Sequence, residues 1–143
     1  MKVKIRHAGM VTKNINESMF FWNKLLGFKV KKILNEQGEL LDKVLGYKGV
    51  KVKTIKLADY NGNLIEILYF QNSPKENNYR IKPYTKGMTH ISVTVKNINK
   101  IFQKLVKKKI KFNAEPQKSE DGKVLMTYCR TPEGAFLELV EEL

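Results

Sequence analysis

The chain has a single cysteine, Cys129, so it cannot close an internal disulfide. A reducing compartment is the default for such a chain, and a cytoplasmic location is expected. No run of about 18 apolar residues occurs, which argues against a transmembrane helix. The opening MKVKIRHAGMV has neither an apolar signal-peptide core nor a small-residue cleavage site. Acidic residues are scarce: 14 Asp and Glu face 27 Lys and Arg, for a net charge of +13. That charge raises nucleic-acid binding as a class. Arginine, the residue best suited to bidentate phosphate and base contacts, is scarcer still, with only Arg6, Arg80 and Arg130. The lysines are spread over the whole chain, so no specific nucleic-acid partner and no membrane partner is expected. Their densest run, KKKIK at 107–111, closes an expected helix, where cations complement the helix dipole. A basic rim for an anionic substrate is the intermediate reading.

Histidine is scarce as well. His7 and His90 are the only two, and they open two related phrases, HAGMVTKNIN and HISVTVKNIN. The same interval separates the two histidines and the Lys-Asn-Ile-Asn tetrapeptides that end the phrases. A second pair of phrases, NGNLIEILYF from Asn61 and EGAFLELVEE from Glu133, aligns with a shorter interval. The first half therefore carries extra residues, and 35–49 is the expected place for them. A hydrophobic fraction of 42% supplies a core for a globular fold of this repeated kind.

Each half reads as strand, helix, then three strands. In the first half, residues 3–11 read as a strand. Asn14 or Asn16 caps a helix that runs to Leu26, with Met19, Trp22, Leu25 and Leu26 on one stripe. Residues 28–34 form a strand, 35–39 a turn, and 50–57 and 64–70 two strands joined at Asn61-Gly62. Residues 71–87 are polar, contain two prolines and have no clear period, which marks a linker. In the second half, 88–95 is a strand. Asn97 or Asn99 caps a helix bearing Ile98, Ile101, Phe102, Leu105 and Val106. Strands follow at 110–114, 124–130 and 135–141, with turns at Asp121-Gly122 and 131–134. The modules are thus residues 1–72 and 87–143, with 73–86 between them.

Glu66 interrupts the apolar run LIEIL, and Glu138 interrupts FLELV. By strand alternation Glu66 shares a face with Leu64 and Leu68, and Glu138 with Phe136 and Val140. A carboxylate on a buried face is costly unless compensated, and a cation is the obvious compensator. His7 shares a face with Ile5, Gly9 and Val11, and His90 with Ser92 and Thr94. Two neutral imidazoles and two carboxylates suit one divalent metal ion: Zn, Ni, Co, Mn or Fe. The equivalent placement carries this reading, since the intervals are too long to form a motif. The plainer alternative leaves both glutamates in solvent, with Leu64, Leu68, Phe136 and Val140 exposed beside them. Tyr47, Thr54, Met126 and Tyr128 are candidates to line a substrate cleft, although ordinary packing is the simpler role for each.

These phrases resemble the vicinal oxygen chelate superfamily, which includes glyoxalase I, methylmalonyl-CoA epimerase, extradiol dioxygenases, fosfomycin-resistance enzymes and bleomycin-binding proteins. The resemblance rests on HAGMVTKNIN with FWNKLLGF, GNLIEIL, GMTHISVTVKNI and TPEGAFLELVE, and covers nearly the whole chain. It implies an α+β fold of two tandem βαβββ modules forming a curled mixed sheet around a metal cleft. By motif position it implies His7, Glu66, His90 and Glu138 as ligands, the set most like glyoxalase I. The epimerases typically place Gln where this chain has Glu66. No arginine matches the glutathione-carboxylate anchors of glyoxalase I: Arg6 faces away from His7, and Arg130 shares a face with Val124, Met126 and Tyr128. The implied activity is a divalent-metal-dependent, glyoxalase-like lyase or isomerase. It would act on a small oxygenated substrate by proton transfer through a metal-bound enediolate, with Glu66 or Glu138 as the base. The alternatives are an Fe(II) extradiol-type dioxygenase, whose two-His-one-carboxylate triad this set contains, and a non-catalytic ligand-binding member. Relatives pair modules within one chain or across a dimer, so a homodimer is expected.

Overall fold

In the computed structural model, which describes residues 1–74 and 80–143, the chain divides into two units, Met1–Asn77 and Asn78–Leu143. Residues 75–79, inside the expected linker 73–86, lie outside the described residues.

The first unit runs β1 (Ala8–Val11), α1 (Ile15–Met19) continuing as a π-helix (Phe20–Leu25), β2 (Lys29–Gln37), α2 (Glu39–Leu45), β3 (Lys51–Ala58) and β4 (Leu64–Phe70). Its sheet has the order β1-β4-β3-β2, with β1 parallel to β4 and the other pairs antiparallel. The second unit repeats the plan: β5 (His90–Thr94), α3 (Ile98–Lys107), β6 (Gln117–Lys118), β7 (Val124–Arg130) and β8 (Phe136–Glu142). Its order is β5-β8-β7-β6, again with the first strand parallel to the last. The fold is α+β, with two four-stranded mixed sheets that are curled but not closed. Among the described residues no helix is long and apolar enough to cross a membrane.

Side-chain caps start the helices where the repeated Lys-Asn-Ile-Asn lies. Asn14 accepts hydrogen bonds from the backbone N–H groups of Asn16 and Glu17, and its amide donates to Glu17. Asn97 accepts from the N–H of Lys100. Glu141, on β8, accepts from the N–H groups of Asn97 and Ile98 at 2.7 and 2.8 Å. That places a carboxylate at the positive end of α3. Each sheet packs one face against its helix, and on the other face Val52, Thr54, Ala58, Glu66 and Phe136 are buried too. In the first unit the core holds Met10, Phe21, Trp22, Leu25, Phe28, Ile55, Leu57, Ile65 and Ile67, and in the second Ile98, Leu105, Cys129, Leu137 and Leu139. Strand alternation then sends Glu66 and Glu138 to the opposite face of each sheet.

Four local expectations are corrected. Residues 3–11 do not form one long strand: β1 begins at Ala8, and Val3 and Ile5 stay exposed without ladder partners. The first helix does not keep its α-helical winding to Leu26. From Phe20 it widens, the Leu26 N–H donates to the Phe21 carbonyl, and neighbours Phe21 and Trp22 both turn inward. Residues 35–39 are not a turn: β2 continues through Gln37, and Gly38 (φ 116°) leads into α2. Asp42 anchors α2 by accepting from the N–H groups of Gly49 and Val50, each at 2.8 Å. This helix lies within 35–49, where the extra residues of the first half were expected. Residues 110–114 form only an isolated bridge, Phe112 to Cys129, and Gln117–Lys118 supplies the sheet edge instead.

Cys129 faces the buried side of β7, fully covered, and burial pushes its thiol up to about 12. The thiol is therefore protonated and shielded at neutral pH. A thiol reagent at pH 8 should label the native protein at least about 100-fold more slowly than the urea-unfolded chain, because labelling must wait for opening. Above the ordinary thiol value the unfolded chain ionises first, so this group's contribution to stability falls with rising pH until the native value is reached. Equal labelling rates in the two states would contradict the burial.

Candidate functional site

The first unit gathers its candidate residues on the sheet face away from the helix. His7 stands just before β1, half-buried, at the point where the chain enters the ladder. Gly9 is registered with Glu66, and a Cβ at Gly9 would lie 3.3 Å from the Leu68 side chain, which leans over that position. His7 Nε2 lies 3.1 Å from Glu66 Oε2. Glu66 is only 8% exposed, so its carboxylate cannot rely on water. Its other oxygen, Oε1, is 3.0 Å from the ammonium of Lys56. Lys56 is the cross-strand partner of Glu66 on β3, which fixes both side chains to one face. Thr54, two residues before Lys56 on the same face of β3, donates to Glu36 Oε2 on β2 at 3.1 Å. Tyr47 packs its ring against Phe70, with centroids 6.4 Å apart.

The second unit builds the equivalent face differently. His90 opens β5 and is exposed, with its Nδ1 3.1 Å from the Thr89 hydroxyl. Ser92 is registered with Glu138, as Gly9 is with Glu66. The cross-strand partner of Glu138 is Tyr128, at the position Lys56 holds in the first unit. Burial first, then the hydrogen bond to Glu138 and its charge, push the Tyr128 hydroxyl up. The phenol therefore stays protonated, with the Glu138 carboxylate directly across the strand pair. The His90 ring meets Tyr128 edge-on at 5.4 Å, so Tyr128 stands against both His90 and Glu138. Met126 is half-buried opposite Val140. Arg130 is committed to the backbone: it donates to the carbonyls of Ile81 and Gly134, both at 2.7 Å, and lies 4.0 Å from the Phe136 ring centre.

The structure thus pairs His7 with Glu66, and sets Tyr128 beside both His90 and Glu138. Thr54 shares the face of Glu66 but turns its hydroxyl to Glu36, and Tyr47 belongs to the packing around Phe70. Among the described residues, neither unit by itself gathers three His, Cys, Asp or Glu side chains. Each supplies one imidazole and one carboxylate, donors of the type that Zn, Ni, Co, Mn and Fe accept, so the residues present fit such an ion. Sequence reasoning missed Lys56. The cation it assigned to a metal at Glu66 is, in the first unit, already present as an ammonium.

Residues 4–139 match the family described as the Glyoxalase/Bleomycin resistance protein/Dioxygenase superfamily. No curated protein matches the sequence. Among solved structures, a glyoxalase family protein from Bacillus cereus is 22% identical and superposes with a TM-score of 0.90, covering 100% of this chain and 96% of that one. The trypanothione-dependent glyoxalase I of Leishmania major is 18% identical with a TM-score of 0.66, covering 99% and 88%. A glyoxalase I mutant from Zea mays is 17% identical with a TM-score of 0.71, covering 98% of this chain and 47% of that one. At these identities the structures speak for the fold, and the family follows from the match along the sequence. With that match spanning nearly its whole length, and two β-α-β-β-β repeats beneath it, the chain belongs to the Glyoxalase/Bleomycin resistance protein/Dioxygenase superfamily.

Proposed function

We propose that the chain is a divalent-metal-dependent, glyoxalase-like lyase or isomerase that moves a proton within a small oxygenated substrate. One observation carries the reading: each unit places a His where the chain enters its first strand and a Glu at the equivalent position of its last strand, on the sheet face away from the helix. His7, Glu66, His90 and Glu138 are the proposed donors, from modules 1–72 and 87–143 joined by 73–86. A divalent ion held by these groups would draw electron density from the substrate's oxygens and so acidify the neighbouring C–H. The chain's own part is to take up and return the proton. Glu138 suits that task because the group facing it across the strand pair is the neutral Tyr128 hydroxyl, which can steady the carboxylate without occupying both oxygens. Glu66 has both oxygens engaged and suits a holding role. The family's pairing of modules makes a homodimer the assembly proposed.

The test is metal content. Protein purified without chelator and offered Zn²⁺, Ni²⁺, Co²⁺, Mn²⁺ or Fe²⁺ should retain about one equivalent per chain, and His90→Ala should abolish retention. The proposal fails if none of the five ions binds, or if His90→Ala retains metal as the wild type does.

A second reading has its own support. If Glu66 stays with Lys56, the remaining donors are His7, His90 and Glu138, a two-His-one-carboxylate set that suits Fe²⁺ in an extradiol-type dioxygenase. Catechol-dependent O₂ uptake after anaerobic Fe²⁺ loading separates the two readings.

A further inference from the structure

We infer that Lys56 competes with the metal for Glu66, and so decides whether the site offers three donors or four. The inference rests on the metal-binding reading above. The Lys56 ammonium lies 3.0 Å from Glu66 Oε1, while His7 holds Oε2 at 3.1 Å. The carboxylate is satisfied at both oxygens by its own unit. Register makes this contact a built feature, because Lys56 and Glu66 are direct cross-strand partners on adjacent strands. The other unit has no such device: Glu138 faces the Tyr128 hydroxyl from the equivalent position, and no ion pair to Glu138 is formed among the described residues.

A cation that takes up Glu66 must displace the ammonium. It then leaves that ammonium half-buried beside a second positive charge. Both the lost pairing and the new repulsion oppose binding through Glu66. Lys32, the cross-strand neighbour of Lys56 on β2, adds another like charge on the same face. Lys56 can swing away on its flexible stem, so the competition is reversible.

The measurement is Zn²⁺ and Co²⁺ affinity by competition with a chromophoric chelator, with the Co²⁺ absorption spectrum as a second readout. Lys56→Met should bind both ions at least about tenfold more tightly than the wild type, and the Co²⁺ bands should change as a further oxygen donor enters. Lys56→Gln should do likewise, and it serves if the methionine variant does not fold. Lys56→Arg keeps the charge and should stay within about threefold of the wild type. Glu66→Gln should weaken binding less in the wild-type background than in the Lys56→Met background, where it should cancel the whole gain. A merely structural role for Lys56 would weaken binding or leave it unchanged.

The outcomes are distinct. If the wild type binds metal and the neutral variants bind no more tightly, the competition is wrong and the metal reading stands. If only the neutral variants bind metal, the competition is right and the native chain is not a metal enzyme of this kind. If no variant binds metal, both readings fall.

Discussion

At saturating metal, Glu138→Gln should lose about 10²–10⁴-fold in turnover, the range a positioned general base contributes, and should still retain the ion. Glutamine keeps an oxygen donor but cannot carry the proton. The readout is solvent deuterium incorporation into an α-hydroxyketone, followed by NMR beside elemental analysis of the same sample. Glu66→Gln should be milder, within about tenfold, because a carboxylate already held by His7 and Lys56 is placed to bind and orient rather than to shuttle. The reverse pattern, severe at 66 and mild at 138, would move the base to the first unit. Unchanged exchange in both variants would mean that neither glutamate is the base, and no exchange in the metal-loaded wild type would remove proton transfer as the reaction.

Why Glu138 is distinguishable from Glu66 at all was not legible in the sequence. The repeat makes the two carboxylates equivalent, and periodicity places both on the face away from the core. Their difference lies in the cross-strand partner. Reading that partner needs the register of β3 on β4 and of β7 on β8. Register follows from hairpin geometry, which composition constrains only loosely. One signal was available. Lys51 and Lys53 occupy one phase of β3, whereas Lys56 breaks phase and falls with Thr54. Carried across the repeat, Tyr128, a cleft-lining candidate from the sequence, points back to Lys56. In a chain this rich in lysine, one more lysine in a strand reads as solvent-facing.

The fold was legible where pattern and caps agree. The strands Leu64–Phe70 and Val124–Arg130 lie where their alternation places them, and Asn14 and Asn97 cap the two repeated helices. Helix α2 was not legible, because it buries no residue and so shows no core-facing stripe. Asp42 and the Glu39–Lys43 ion pair hold it locally instead, and neither leaves a periodic mark. Likewise Val3 and Ile5 alternate as a strand would but find no ladder partner, since β4 pairs with β1 only as far back as Ile65 opposite Ala8.

Trp22→Ala should remove about 3–5 kcal/mol of stability, read from urea denaturation, which is a large share of the roughly 5–15 kcal/mol available to a domain. Trp22 is wholly buried, and its ring meets Phe21 at 5.2 Å and Phe28 at 5.3 Å, both edge-on. The size of the effect follows from the π-helical winding. In an α-helix, neighbours such as Phe21 and Trp22 point about 100° apart, so both cannot face one sheet squarely. The wider turn from Phe20 to Leu25 brings both rings to the sheet, together with Leu25. Packing of the indole holds that wider turn in place, so truncation should release the winding as well as open a cavity. Phe20→Ala is the control. Phe20 sits in the same turn but is exposed, and its loss should stay within about 1 kcal/mol. Equal losses at 20 and 22 would mean that helix propensity, rather than the aromatic cluster, stabilises this segment.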